Sequence, residues 1–145
     1  MTSVVYSIKT RGDGDAVSMS DKTKYWLDLA KEDIDVAQIL LSSGKLLYCG
    51  FITHLAVEKA LKGKIESTGE TPLKIHNLIR LAETGGLLTI MTEDQKELLK
   101  TLNPLQIEAR YPEYKQNIAE MLTAEKCADM IAQAKEMVAW IGTQL

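Results

Sequence analysis

Residues 51–64 read FITHLAVEKALKGK and place His54, Glu58 and Lys62 at i, i+4 and i+8. On a helix these three share one stripe. An imidazole, a carboxylate and an ammonium brought together in this way can move a proton and hold a phosphate. Lys59 and Lys64 add cationic charge to the same turns, and the lysines could together attract a phosphate. A second group is His76 with Arg80 four residues on. A third is the segment ARYPEY, where Arg110, Tyr111 and Tyr114 combine a guanidinium with two phenol rings, suited to phosphate contact and to stacking on a planar ligand. Two of these groups have a plainer reading. The stripe can be a solvated ridge with a weak Glu58–Lys62 pair, and the tyrosines can pack on the rim of the fold.

The opening segment carries an apparent contradiction. Phe51, Ile52, Leu55, Ala56, Val57, Ala60 and Leu61 surround most of the helical circumference. A helix apolar nearly all round is a buried one, and burying charge is costly unless it is paired. His54, Glu58, Lys59 and Lys62 must therefore be answered by other elements. Asp33 poses the same problem. Its helical neighbours Trp26, Leu29, Ala30, Ala37 and Leu40 are all apolar. It is expected to be buried and paired with Lys59, Lys62 or Arg110 from elsewhere in the chain.

Other chemistries are excluded. Two histidines do not make a zinc site, and no glycine-rich phosphate loop or nucleophile elbow occurs. Cys49 and Cys127 lie in apolar helical patterns and read as buried free thiols, which fits a reducing cytoplasm. No cofactor and no metal are expected. The formal net charge of −3 argues against a protein that coats nucleic acid, though not against a small basic pocket. No apolar run approaches the ~20 residues of a membrane span, so no membrane partner is expected.

Helices must carry these groups. At 145 residues the chain suggests one domain. Ser20 or Asp21 can cap a helix running to about Ser42, stopped by SSGK. A second runs from about Tyr48 to Ser67, and a short one from about Ile75 to Glu83 is closed by Gly85-Gly86. Thr92-Glu93-Asp94-Gln95 is a capping-box pattern that opens a helix through about Asn103, where Pro104 is expected to end it. Pro104 and Pro112 bracket the expected irregular stretch. The last helix spans about Thr123 to Gly142, with a stripe of Cys127, Ile131, Ala134, Val138 and Ile141. Residues 1–20 differ in character: VVYSI is strand-like and RGDGD turn-like. They read as an N-terminal arm, or as a segment added to a natural chain starting at Met19. The expected fold is all-α, an antiparallel up-and-down bundle of four main helices plus a short one over residues 21–145.

Four motifs in order carry a resemblance: Tyr25, Ala30, Asp33, Ala37, Leu40-Leu41 and Gly44; Phe51, His54, Ala56 and Glu58-Lys59-Ala60-Leu61-Lys62; Pro72, His76, Leu78 and Leu81; and Arg110-Tyr111-Pro112. The sequence resembles the HEPN domain ("higher eukaryotes and prokaryotes nucleotide-binding") over about residues 22–142. The resemblance implies a helical bundle, often a homodimer, associated with nucleotides or RNA. It also implies a nucleotidyltransferase partner in a toxin–antitoxin or defence setting. Ribonuclease members carry an Arg followed after four to six residues by a His, and here no His follows Arg80 or Arg110. A non-catalytic domain binding a nucleotide or a partner is thus expected. The alternatives are a metal-independent endoribonuclease toxin, using His76 and Arg80 in reverse order, and a purely structural interaction module. An exposed apolar patch around Met91, Met121 or Met137 would favour partner binding.

Overall fold

The computed structural model describes residues 19–108 and 120–145. Among the described residues five α-helices are given bounds: α1 (Met19–Ser42), α2 (Leu46–Ser67), α3 (Leu78–Thr84), α4 (Glu93–Glu108) and α5 (Ala124–Thr143), with a 3-10 turn at Leu88–Ile90 between α3 and α4. No strand occurs among the described residues. The all-α bundle expected from the sequence is the observed fold. VVYSI and RGDGD lie outside the described residues, as do Arg110, Tyr111, Pro112 and Tyr114. Helix α1 begins at Met19, two residues inside the expected arm.

Local sequence sets the helix ends. At the end of α1, Gly44 adopts φ +73°, open to glycine at little cost, and the amide of Lys45 closes back on the carbonyl of Leu40 at 2.9 Å. This tight turn folds α2 back beside α1. Thr92 and Gln95 form the expected capping box: Thr92 Oγ1 accepts from the Gln95 amide at 3.1 Å, and Gln95 Oε1 accepts from the Thr92 amide at 2.9 Å. Thr123 caps α5 by accepting from the Lys126 amide at 3.1 Å.

Two further boundaries differ by more than two residues from expectation. Helix α4 does not stop at Asn103 but continues through Pro104 to Glu108. Proline lacks the amide that would bond the Lys100 carbonyl, yet its fixed φ is itself helical. Lys100 and Pro104 are both exposed, so water can satisfy that carbonyl. Helix α3 starts at Leu78 rather than Ile75 because Asn77 caps it, its Oδ1 accepting from the amides of Ile79 and Arg80 at 3.0 and 3.1 Å. His76 therefore precedes the helix and shares no helical face with Arg80.

Helix α2 is central, packing against α1, α3, α4 and α5. That accounts for its all-round apolar surface. It packs most extensively on α1, and both helices bury small residues, Ala30 and Ala37 on α1 and Ala56, Ala60 and Gly63 on α2. Small side chains let the two backbones come close: a Cβ added at Gly63 would lie 3.1 Å from Trp26 Cβ. Leu61, Ile65, Leu81, Leu99, Leu102 and Ile141 fill the centre with 0% exposure, each contributing ~1.5–3 kcal/mol by leaving water. Of the three methionines expected at an exposed patch, Met91 and Met137 are buried, and Met121 alone is exposed, at 60%. No described helix is long and apolar enough to cross a membrane.

Candidate functional site

Helix α2 projects His54, Glu58 and Lys62 along one stripe, and the loop before α3 closes over it. The loop is held in place from two sides. Asn103 of α4 accepts the Leu78 amide at 2.8 Å and donates to the Asn77 side chain at 3.2 Å. On the other side, the backbone oxygen of His76 lies 3.1 Å from His54 Nε2. A carbonyl can only accept, so His54 Nε2 carries the hydrogen and Nδ1 the lone pair.

Glu58 is the hub. Its Oε2 accepts from Lys62 Nζ at 3.0 Å. Its two oxygens each lie 3.1 Å from His76 Nδ1, which donates to the carboxylate. His54 Nδ1 stands 3.6 Å from Oε1 with no hydrogen-bond partner. The Glu58 side chain is 6% exposed and that of Lys62 11%. The lysine also sits 6.0 Å above the ring of Trp26 on α1, a cation–π contact. The partnering of Glu58 is what permits the burial of two formal charges on a central helix.

His54 and His76 play different parts. His54 has no solvent exposure. Burial pushes its pKa down to about 4, outweighing the attraction of Glu58 and the bond to His76, so at neutral pH it is an uncharged tether. His76 is 45% exposed in its side chain. With Nδ1 directed to Glu58, its Nε2 remains for another partner. A carboxylate holding one ring nitrogen fixes the ring's orientation, as in histidines that bind ligands or transfer protons.

Lys59 does not join this cluster. It points to α1, where its Nζ lies 2.8 Å from Asp33 Oδ2, answering the charge noted on that helix. The Asp33 side chain is 14% exposed and that of Lys59 25%, so this is a half-buried ion pair. Oδ2 receives no hydrogen bond of acceptable angle, so the contact is mainly coulombic. The lysine expected at a phosphate is thus committed to helix pairing. Among the described candidates, His54, Glu58, Lys62 and His76 come together and Lys59 stands apart.

The sequence pattern missed Asn77 and Asn103. Their asparagine–asparagine bridge joins α3 to α4 and positions the His76 loop; Asn77 just before an apolar run was a readable cap signal, but its partner was not. Cys49 and Cys127 are both buried free thiols. Burial pushes Cys49 up to about 12 and raises Cys127, so neither is an activated nucleophile. No group of three or more potential metal ligands gathers among the described residues.

The family model described as the HEPN domain matches residues 23–144. The crystal structure of TT1696 from Thermus thermophilus is similar in fold, with a TM-score of 0.75 over 86% of this chain and 98% of that one, at 24% identity. No curated protein matches the chain.

Proposed function

Because the chain belongs to the HEPN domain family, we propose that it is a non-catalytic nucleotide-binding bundle whose ligand phosphate meets the outward edge of His76. The observation that carries this reading is the clamping of His76 Nδ1 by both oxygens of Glu58, each at 3.1 Å. The clamp leaves one ring nitrogen of a half-exposed imidazole facing outward on a pinned loop. A ring held in this way loses little freedom on binding, which favours a small anionic ligand. Lys62 keeps the underlying carboxylate neutralised, so the edge does not repel phosphate. Arg110 with Tyr111 and Tyr114 would extend the site as phosphate contact and stacking face. The four sequence motifs further support a homodimer acting beside a nucleotidyltransferase, in a toxin–antitoxin or defence setting.

The non-catalytic part rests on the missing Arg-to-His spacing. Calorimetric titration of a panel of nucleotides and a short single-stranded RNA tests both parts. The parent is expected to bind in the micromolar range, about −8 kcal/mol. His76→Ala should weaken binding at least tenfold while RNA stays intact in both samples. Equal binding by parent and variant removes His76 from the site, and no binding by the parent across the panel overturns the reading. Cleavage of RNA abolished by His76→Ala would instead make the domain an endoribonuclease.

A further inference from the structure

The bundle carries a feature between α4 and α5 that the His76 site does not use. Helices α4 and α5 touch only sparsely. Between them runs a groove of about 380 Å³ near Pro104, Leu105 and Met121, and a second of about 360 Å³ toward Trp140. The two adjoin at Leu98 and Gln133, which line both, and together they mark out a channel along α5. Neither includes a residue of the Glu58 cluster.

Leu98, Leu105, Leu122, Met130 and Met137 form its floor. Methionine is flexible and polarisable, and recurs on surfaces that accept apolar helices. Met121, exposed at 60%, stands at one end as an apolar anchor. The walls are acidic on both sides. Asp94 and Glu97 rise from α4, and Asp129 and Glu136 lie seven residues apart on α5, on the same helical face. All four are exposed. Among the described residues the single lining cation, Lys126, lies at the first turn of α5. From Lys126 to Trp140 the channel follows α5 for about 20 Å, the length of roughly four helical turns.

We propose that this channel docks a basic amphipathic helix of another protein, its apolar stripe on the Leu98–Met130 floor and its Lys or Arg residues against the two acidic walls. A single acidic wall would suit any cation. Two walls flanking an apolar floor match a helix with basic residues on both sides of an apolar stripe. This inference does not depend on the nucleotide reading.

The test uses the full chain and a labelled synthetic helix of about four turns, with Leu at i, i+3, i+4 and i+7 and Lys on both flanks, followed by fluorescence anisotropy. A second peptide has every Lys replaced by Glu. The Lys peptide should bind in the micromolar range, more tightly at low salt, and should protect α4 and α5 amides from hydrogen exchange. The Glu peptide should not bind. Glu97→Lys/Asp129→Lys should weaken binding at least tenfold. Glu32→Lys/Asp35→Lys, at exposed positions of α1, should leave it unchanged and so exclude general attraction to an acidic protein. Any of these results overturns the proposal: no binding by the parent, similar affinity for both peptides, protection away from α4 and α5, or equal weakening by the α1 pair. Binding that appears only after removal of residues 1–18 would assign the channel to the chain's own arm. A parent dimer dissociated by Glu97→Lys/Asp129→Lys would assign it to a second copy.

Discussion

The imidazole of His54 and the backbone oxygen of His76 lie 3.1 Å apart, although 22 residues separate them in sequence. Through this bond a wholly buried side chain of the central helix holds the loop that presents the half-exposed imidazole. The bond survives only while His54 remains in place.

Acid sensitivity follows from that buried ring. The folded pKa of His54 is pushed down to about 4 by burial, below the ordinary value of 6.5. Between those two pH values the unfolded chain takes up a proton that the folded chain refuses. The stability contributed by the neutral ring is therefore complete above about pH 6.5 and declines as pH falls toward 4, by up to about 3 kcal/mol. Urea midpoints at pH 7, 6 and 5 should fall more steeply for the parent than for His54→Gln, whose amide can still donate to the His76 oxygen. Parallel slopes would place the ring in water.

Glu58 should be the most sensitive charged position. Glu58→Gln removes the carboxylate that neutralises Lys62, whose side chain is only 11% exposed. The expected loss is ~3–5 kcal/mol, the usual result of leaving a buried charge unpaired. Glu58→Gln/Lys62→Met should recover a good part of it, because no orphan charge then remains. If thermal melts find the double variant as weak as the single one, the loss arises from packing instead.

A milder result is expected at Asp33. Its partner Lys59 keeps 25% of its side chain in water, so solvent already screens the pair. Asp33→Ala should cost ~1–2 kcal/mol, between the values for exposed and buried pairs. Lys59→Met should cost about as much, and the double variant little more than either. Strict additivity in that cycle would mean that the two residues do not interact.

Two glycines inside α2 should respond differently to Ala. At Gly63 a new Cβ meets Trp26 Cβ at 3.1 Å, an atom close to the α1 backbone that cannot swing away. At Gly50 the nearest atom, also at 3.1 Å, is the methyl end of Leu105, which can rotate. Alanine gains ~1 kcal/mol of helix propensity at either position. Gly63→Ala should therefore destabilise by ~1–2 kcal/mol net, while Gly50→Ala should be near neutral. Equal shifts in melting temperature would show that the α1–α2 contact is not tight.

Much of this arrangement is written in short-range patterns. The turn at Gly44, the box at Thr92 and Gln95, the cap at Thr123 and the stripe of His54, Glu58 and Lys62 all depend on residues within a few positions of one another. What escapes the sequence is long-range or context-bound. Lys59 and Lys62 are chemically alike and three residues apart, yet one pairs with α1 and the other with Glu58, because the helix turns between them. Nothing near Asn103 announces that it bridges to Asn77 and so sets the position of His76. Pro104 reads as a stop, and only its exposure on α4 lets the helix run on.

The position of α2 bears on how the molecule comes apart. Every other helix rests on α2, while α1 and α4 do not rest substantially on each other. No pair of helices lacking α2 would keep a closed apolar centre, so its amides should exchange hydrogen only through opening of the whole bundle. Helix α3 buries Leu78, Leu81 and Ala82, but the loop before it, with Leu73, Lys74 and His76 exposed, rests on a few hydrogen bonds, so that loop can open at a fraction of that cost. The segment that carries His76 is thus anchored to the slowest-exchanging part of the chain while belonging to one of the quickest, and a ligand that seized its imidazole would suppress that local opening without altering the global one.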